Sequence, residues 1–416
     1  MQMPSRSDPA SITPNAEPRS QRQPLVVLSH LRWGFVFQRP QHLLTRLAQH
    51  YDVFFVEEPV YLAGESHLDI QPLAPGLEVL TPHTDVQAPG FHDDQFPALR
   101  RLLAHFIAQR GLVDALVWFY TPMALPLLDA LPARKVIYDC MDDLASFRFA
   151  PPQLVQREAR LMQIADVVLT GGPSLYEARK DRRPDIECLP SAVDAAHFAP
   201  GPISADDPVA AAALALHDGL ARPRLGFFGV IDERLDIDLV AGIADLRPDW
   251  TIVMVGPVVK IDPAALPQRP NLRWLGMQSY EALPHLLQQW DVALLPFALN
   301  EATRFISPTK TLEYLAGGKP VVSTPIRDVV SLYAGAVSIA DSDAGFVAAV
   351  EAVLAETPAA RQRRHAAGQA LVDACTWDGT AARIHALLQA GLPREGDSAH
   401  ASSALSSASD SVAAEA

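Results

Sequence analysis

The stretch LLPFALNEATRFISPTKTLEYLAGGKPVVST, residues 294–324, decides how the rest of the chain is read. An apolar run ends at Pro296, a polar loop leads to Ser307-Pro308, helical spacing continues to Ala316, and Gly317-Gly318 precedes the next apolar run. Proline just inside a helix start and glycine just past its end is the asymmetry expected of a helix set between two strands. The amides of Thr309 and Lys310 at such an N-terminus face an anion, and the helix dipole favours it. Lys310 adds a full charge, and Glu313 lies one turn further along the same face. A carboxylate accepting from two vicinal hydroxyls clamps a ribose. Phosphate at the helix start and ribose near Glu313 together describe a nucleoside diphosphate. Ser307, Pro308, Thr309, Lys310, Thr311 and Glu313 are therefore the expected donor-binding set. The same spacing equally fits an exposed Lys310–Glu313 pair on an ordinary helix; on spacing alone the two readings weigh the same.

Outward from this stretch, short apolar runs alternate with segments of helical period. They are Leu25–Ser29, Val53–Val56, Ala115–Phe119, Val136–Tyr138 and Val167–Thr170, then Leu225–Gly229, Thr251–Gly256, Val292–Leu295 and Val321–Thr324. Runs apolar throughout fit strands covered on both faces, and helices between them point to parallel, doubly wound α/β sheets. Pro, Gly and Asp between Ala199 and Arg222 mark a break. The expected organisation is a first Rossmann-like domain over 25–200, a connection over 201–222 and a second domain over 223–375. A helix over 376–392 is expected to return to the first domain. Residues 1–24 and 395–416 are polar and of low complexity, and read as disordered tails. In open parallel sheets ligands bind beyond the carboxyl ends of the strands, so the residues just after each run are where chemistry is sought.

Composition narrows the class. With 416 residues, 49% hydrophobic and 20% charged, the chain has enough apolar sequence for two cores. A formal net charge of −14 argues against a nucleic-acid partner, which demands a basic face. Three separated cysteines, Cys140, Cys188 and Cys375, supply neither a disulfide framework nor a zinc pattern. No apolar stretch approaches a membrane span, and the N-terminus lacks the apolar core of a signal peptide. A cytoplasmic protein is expected, with peripheral contact at the inner face of the membrane left open.

Three ordered motifs carry a resemblance. Ser307, Pro308, Lys310, Glu313, Tyr314, Ala316, Gly318, Pro320, Val321 and Val322 fit S-P-x-K-x-x-E-Y-x-A-x-G-x-P-V-V. LPSAVDAAHFAP, residues 189–200, is similar to P-N-G-V-D-x-x-x-F-x-P, and ADVVLTGGPSLYEAR, residues 165–179, to A-D-x-V-x-T-x-S-x-x-L. The chain resembles glycosyltransferase family 4, whose GT-B fold sets two Rossmann-like domains across a cleft. The opening Trp33, Gln38, Arg39, Pro40, Gln41, His42 is similar to the W-x4-Q-R-P-Q-H of a subgroup linked to teichuronic acid and galactofuranose-type polysaccharides.

The resemblance implies a retaining, metal-independent transfer of sugar from a UDP- or GDP-linked donor to a carbohydrate or lipid-linked acceptor, with no further cofactor. It implies Arg234 and Lys310 at the diphosphate, with Gly229 beside them and Gly34 giving close backbone approach. His30, Arg32, Gln38 and Arg39 then fall on the acceptor side. The loop after Val136–Tyr138 carries Asp139, Asp142 and Asp143 where the family often has a histidine. Asp142 and Asp143 read as catalytic carboxylates or, equally, as helix caps. For Arg234 the competing reading is a surface pair with Asp232, Glu233 or Asp236. The first Glu of the family's E-x7-E is Phe305 here, with Glu301 nearby as a substitute. Two other classes stay open: an inactive GT-B scaffold, and a Rossmann oxidoreductase or epimerase, which the absence of G-x-G-x-x-G disfavours.

Overall fold

The structure, a computed structural model, describes residues 22–202 and 206–390. Apart from residues 22–24, the expected tails lie outside the described residues.

Nine strands form the first sheet: β1 (Gln23–Leu28), β2 (Tyr51–Val56), β3 (Val60–Tyr61), β4 (His67–Ala74), β5 (Leu77–Thr84), β6 (Ala115–Phe119), β7 (Ala133–Cys140), β8 (Val167–Thr170) and β9 (Glu187–Cys188). Their order is β3-β5-β2-β1-β6-β7-β8-β9, parallel throughout, with β4 added antiparallel to β5. Alternate residues of β1 enter opposite layers: Val26 and Leu28 pack in one apolar cluster, Leu25 and Val27 in the other. That two-sided burial is why the run is apolar at every position.

The second sheet holds β10 (Arg224–Phe228), β11 (Thr251–Val255), β12 (Leu272–Trp274), β13 (Val292–Leu295), β14 (Val321–Ser323) and β15 (Val337–Ile339), all parallel. Its order, β12-β11-β10-β13-β14-β15, runs 3-2-1-4-5-6, the dinucleotide-fold arrangement whose crevice opens between the first and fourth strands. In the first sheet, β5-β2-β1-β6-β7-β8 repeats that order.

Two features differ from the expectation. The segment read as connection holds a helix, Pro208–Ala215, capped by Asp207 and packed beside the helix Leu283–Gln288 of the second domain. Strands β3, β4, β5, β9, β12 and β15 were not anticipated. β5 buries alternate positions rather than all of them, and Pro72 and Pro82 interrupt the β4–β5 pair. Strands β12 and β15 have only three residues each.

The chain crosses between domains a second time at Cys375–Trp377, where Val193 donates to the Cys375 carbonyl. The helix Trp377–Gln389 then lies on the first domain against the helix Arg39–Leu47. Trp377, Ile384 and Leu388 are buried there, and the Trp377 indole stacks on His42 at 4.7 Å.

Candidate functional site

Both crevices open onto one cavity of about 440 Å³ between the domains. From the second domain its wall is made by the turn after β10, the loop after β11, the loop after β12 and the segment Ile306–Glu313. From the first domain come Trp33–Arg39, Met141, Asp142, Gly171 and Ser191.

Lys310 begins a helix that runs to Ala316. The first turn closes when the Thr311 amide donates to the Pro308 carbonyl, so the Thr309 and Lys310 amides precede that bond. The Lys310 side chain runs across Gly229. A Cβ at Gly229 would stand 2.1 Å from Lys310 Cε, and Gly229 has φ +151°, a region side chains rarely adopt. Behind it, a Cβ on Gly256 would meet the Gly229 carbonyl at 1.8 Å. The two glycines let the turns after β10 and β11 lie together and leave Lys310 a path into the cavity. Burial lowers the Lys310 pKa, Glu313 opposes the shift, and Arg234 adds to it.

Glu313 is 7% exposed and lines the cavity. Burial pushes its pKa up to about 7 against the pull of Lys310. No side chain spans the distance between them as an ion pair among the described residues, so the exposed-pair reading of this helix does not hold.

Arg234 forms the expected pair with Asp232, and it does so on the cavity wall rather than on an open surface. Its guanidinium grips buried Asp232 through Nε at 3.0 Å and Nη2 at 2.7 Å, yet it lines the cavity. Burial lowers its pKa, and the Asp232 hydrogen bonds more than offset that, so the group is locked in its charged form. Phe147 of the first domain lies under this cation at 5.5 Å and under Lys260 at 4.9 Å, a cation–π bridge across the cleft.

The three aspartates after β7 separate. Asp139 is fully buried against Arg39, Oδ2 to Nε at 2.9 Å. Asp143 is held by Arg179 at 2.8 Å and by the Ser146 hydroxyl. Asp142 alone of the three lines the cavity; burial raises its pKa to about 6, with Arg234 the largest opposing charge. The proximity of these carboxylates in sequence therefore does not become a shared site, because two have their own arginines.

Other candidates divide similarly. Gly34, Gln38, Arg39, Ser307, Pro308 and Thr309 line the cavity with Gly229. Thr311 is fully buried inside its helix and does not. Arg32 turns away to Glu57 at 3.0 Å and to the Glu58 carbonyl. His30 sits behind the wall, its pKa lowered to about 4 by burial and by Lys260. Glu301 is 78% exposed at its side chain, pairs with Arg304 and is not on the wall, so it does not replace the glutamate missing at Phe305. Ser191, where the family pattern has Asn, donates to the Ser307 carbonyl at 2.8 Å and receives the Thr309 hydroxyl at 3.2 Å. Ser174 N donates to Asp328 Oδ1 at 3.0 Å, a further interdomain hydrogen bond.

Sequence reasoning passed over the wall from Met277 to Glu281. Tyr280 there stacks on Phe37 of the first domain at 4.5 Å and on His197 at 4.1 Å. Its signal was the loop after β12, which a three-residue strand does not announce. Lys260 and Phe147 were missed because neither belongs to a motif.

Comparison with known proteins agrees with this arrangement. Residues 222–356 match the family model described as Glycosyl transferases group 1. The chain is 27% identical over 258 residues to the "Putative teichuronic acid biosynthesis glycosyltransferase TuaH" of Bacillus subtilis (strain 168), covering 57% of this chain and 63% of that relative. Sucrose-phosphate synthase from Thermosynechococcus elongatus superposes with a TM-score of 0.69 at 15% identity, over 88% of this chain and 98% of that one. Anabaena Alr3699/HepE in complex with UDP and glucose gives 0.65 at 13% identity, over 88% and 100%. Trehalose-6-phosphate from E. coli bound with UDP-2-fluoro glucose gives 0.65 at 13%, over 89% and 100%. The fold is GT-B, and the resemblance read from the three motifs is borne out.

Proposed function

Because its second domain is a Glycosyl transferases group 1 domain set on a GT-B frame, we propose that this chain transfers a sugar from a nucleoside diphosphate donor to a hydroxyl of a polysaccharide, glycolipid or small acceptor. The observation that carries the reading is the convergence of Lys310, Arg234 and Glu313 on one interdomain cavity. Two cations suit a diphosphate, and a buried carboxylate with no hydrogen-bond partner among the described residues suits a ribose diol.

In this mechanism Lys310 and Arg234 stabilise the charge that accumulates on the diphosphate as its bond to the sugar breaks. Arg234 is held in place by Asp232, so its charge needs no reorganisation. The acceptor oxygen attacks the anomeric carbon from the face the diphosphate leaves, and the hydroxyl proton passes to a departing phosphate oxygen. Retention follows. Asp142, facing the cavity from the first domain, orients the acceptor hydroxyl. Two fixed cations take the part a divalent ion plays elsewhere, so transfer is expected to survive EDTA.

A UDP-linked sugar is the preferred donor, since two proteins of this fold are seen with UDP and glucose or with UDP-2-fluoro glucose bound; a GDP-linked sugar is the alternative. The name of the Bacillus relative supports an acceptor of the cell envelope. No helix among the described residues is long and apolar enough to cross a membrane.

A thermal-shift panel of UDP-, GDP-, ADP- and dTDP-sugars tests donor recognition, because a ligand binding only the folded state raises the melting temperature. Stabilisation by a UDP- or GDP-sugar, followed by its hydrolysis or transfer, is the expected result. Stabilisation without turnover would make the chain a sugar-nucleotide-binding scaffold. No response to any of the four would overturn the reading.

A further inference from the structure

At the outer edge of the first sheet, β4 and β5 form an antiparallel ribbon in which His67 stands directly opposite His83 and Asp69 opposite Thr81. Residues two apart on a strand share a face, as do residues directly opposite across the ladder. His67, Asp69 and His83 therefore project together. Their ligand atoms lie within 4.8 Å of one another. The two imidazoles are nearly parallel, 9° between planes and 4.8 Å between centroids, and both turn Nε2 toward the Asp69 carboxylate, at 3.9 Å from His67 and 3.1 Å from His83.

A second observation sets the His67 ring. Its Nδ1 lies 3.2 Å from the Glu65 carbonyl, an acceptor-only group, so Nδ1 carries the proton and donates it. The ring is thereby oriented with Nε2 on the Asp69 side, the side on which a shared metal ion would be ligated. A backbone carbonyl fixing the far nitrogen of an imidazole is how metal-binding histidines are oriented.

We propose that His67, Asp69 and His83 bind one divalent transition-metal ion of the imidazole-preferring class, Zn²⁺ foremost. Two imidazoles and a carboxylate are a borderline-soft donor set, suited to Zn²⁺, Ni²⁺ or Cu²⁺ rather than Mg²⁺ or Ca²⁺. Three protein donors leave a fourth tetrahedral position for water. None of the three residues lines the interdomain cavity, so the site is separate from the proposed transfer chemistry. It clamps an edge strand that is exposed along nearly all its length. Thr81, on the same face, donates to Glu57, which accepts from the Trp33 amide at 2.7 Å at the cavity rim.

The test uses the full chain without a histidine tag, stripped with chelator and titrated calorimetrically with Zn²⁺ alone, with Co²⁺ as an optical probe of tetrahedral coordination. One equivalent is expected, with a rise in melting temperature. His67→Ala and His83→Ala should each weaken uptake by at least about 10-fold, the lower bound for disturbing even an outer-shell partner. Asp69→Asn should weaken it while leaving the fold intact by circular dichroism. His385→Ala, which alters the other stacked histidine pair, His50–His385, should bind as the parent does. No uptake by the parent chain would overturn the assignment. So would Zn²⁺ binding unchanged in both histidine variants, or lost only in His385→Ala.

Discussion

Gly229→Ala puts the smallest side chain where the Lys310 methylenes now run. The new Cβ would lie 2.1 Å from Lys310 Cε and 3.0 Å from the Phe227 ring, at a residue whose φ is +151°. Backbone strain of this kind costs about 1–3 kcal/mol. Phe227 is fully buried and has little room to yield, so Lys310 must leave its course. A displaced Lys310 loses its charge-assisted hydrogen bond to the diphosphate, about 1.5–3 kcal/mol, or roughly a 10- to 100-fold weaker affinity for UDP. Calorimetry with UDP on Gly229→Ala, Lys310→Ala and the double variant separates the two costs. In the Lys310→Ala background the clash partner is gone, so Gly229→Ala should lower the melting temperature through φ strain but subtract little further affinity. Strong non-additivity in binding is the expected signature of a direct contact. Additive losses of affinity, or a Gly229→Ala variant that binds UDP within about twofold of the parent, would refute the claim that Gly229 exists to pass Lys310.

Glu313→Ala should weaken UDP about 10- to 100-fold with the fold intact, as expected for a lost hydrogen bond to a charged acceptor; unchanged affinity in a well-folded variant would remove the ribose assignment. Arg234→Ala should lower turnover by roughly 100-fold while raising the donor KM less, because its charge matters most as the bond breaks. Arg234→Lys should rescue only in part, since an ammonium cannot hold Asp232 bidentately; full rescue would show that a point charge suffices. Glu313, raised from 4.5 to about 7 by burial, binds more proton folded than unfolded in that window. Its contribution to stability is therefore lost as pH rises from about 4.5 to 7, by about 3 kcal/mol at most. Glu313→Gln should flatten that part of the pH–stability profile measured by urea unfolding, and an unchanged slope would count against the burial-driven shift.

How much of this was legible in the chain follows from burial and length. Strands such as β1 and β11, buried on both faces, announce themselves as unbroken apolar runs. The β4–β5 ribbon does not, because β4 is exposed almost throughout and β5 alternates, with Pro72 and Pro82 as apparent breaks. Lys310, Glu313 and Arg234 were readable because each follows a strand end at a sheet's switch point. The fate of the aspartates was not. Which of Asp139, Asp142 and Asp143 faces the cavity depends on Arg39, 100 positions from Asp139, and Arg179, 36 positions from Asp143, which meet those two only through the fold. The aromatic wall at Tyr280 and the Phe147 bridge depend likewise on one domain meeting the other.

The return of the helix Trp377–Gln389 to the first domain has a consequence for synthesis on the ribosome. The layer of the first sheet that buries Leu25, Val27, Leu43 and Leu44 also contains Trp377, Ile384 and Leu388, so it stays open until residues 377–389 emerge. At about 5–20 residues per second, the span from residue 200 to residue 390 takes on the order of 10–40 s. Throughout that interval the earlier-made half carries an uncovered apolar groove, whereas the later-made half can close its own core once residue 375 is out. The order of completion is thus the reverse of the order of translation, and the nascent chain offers a holdase chaperone a defined apolar face for as long as the helix Trp377–Gln389 is unmade.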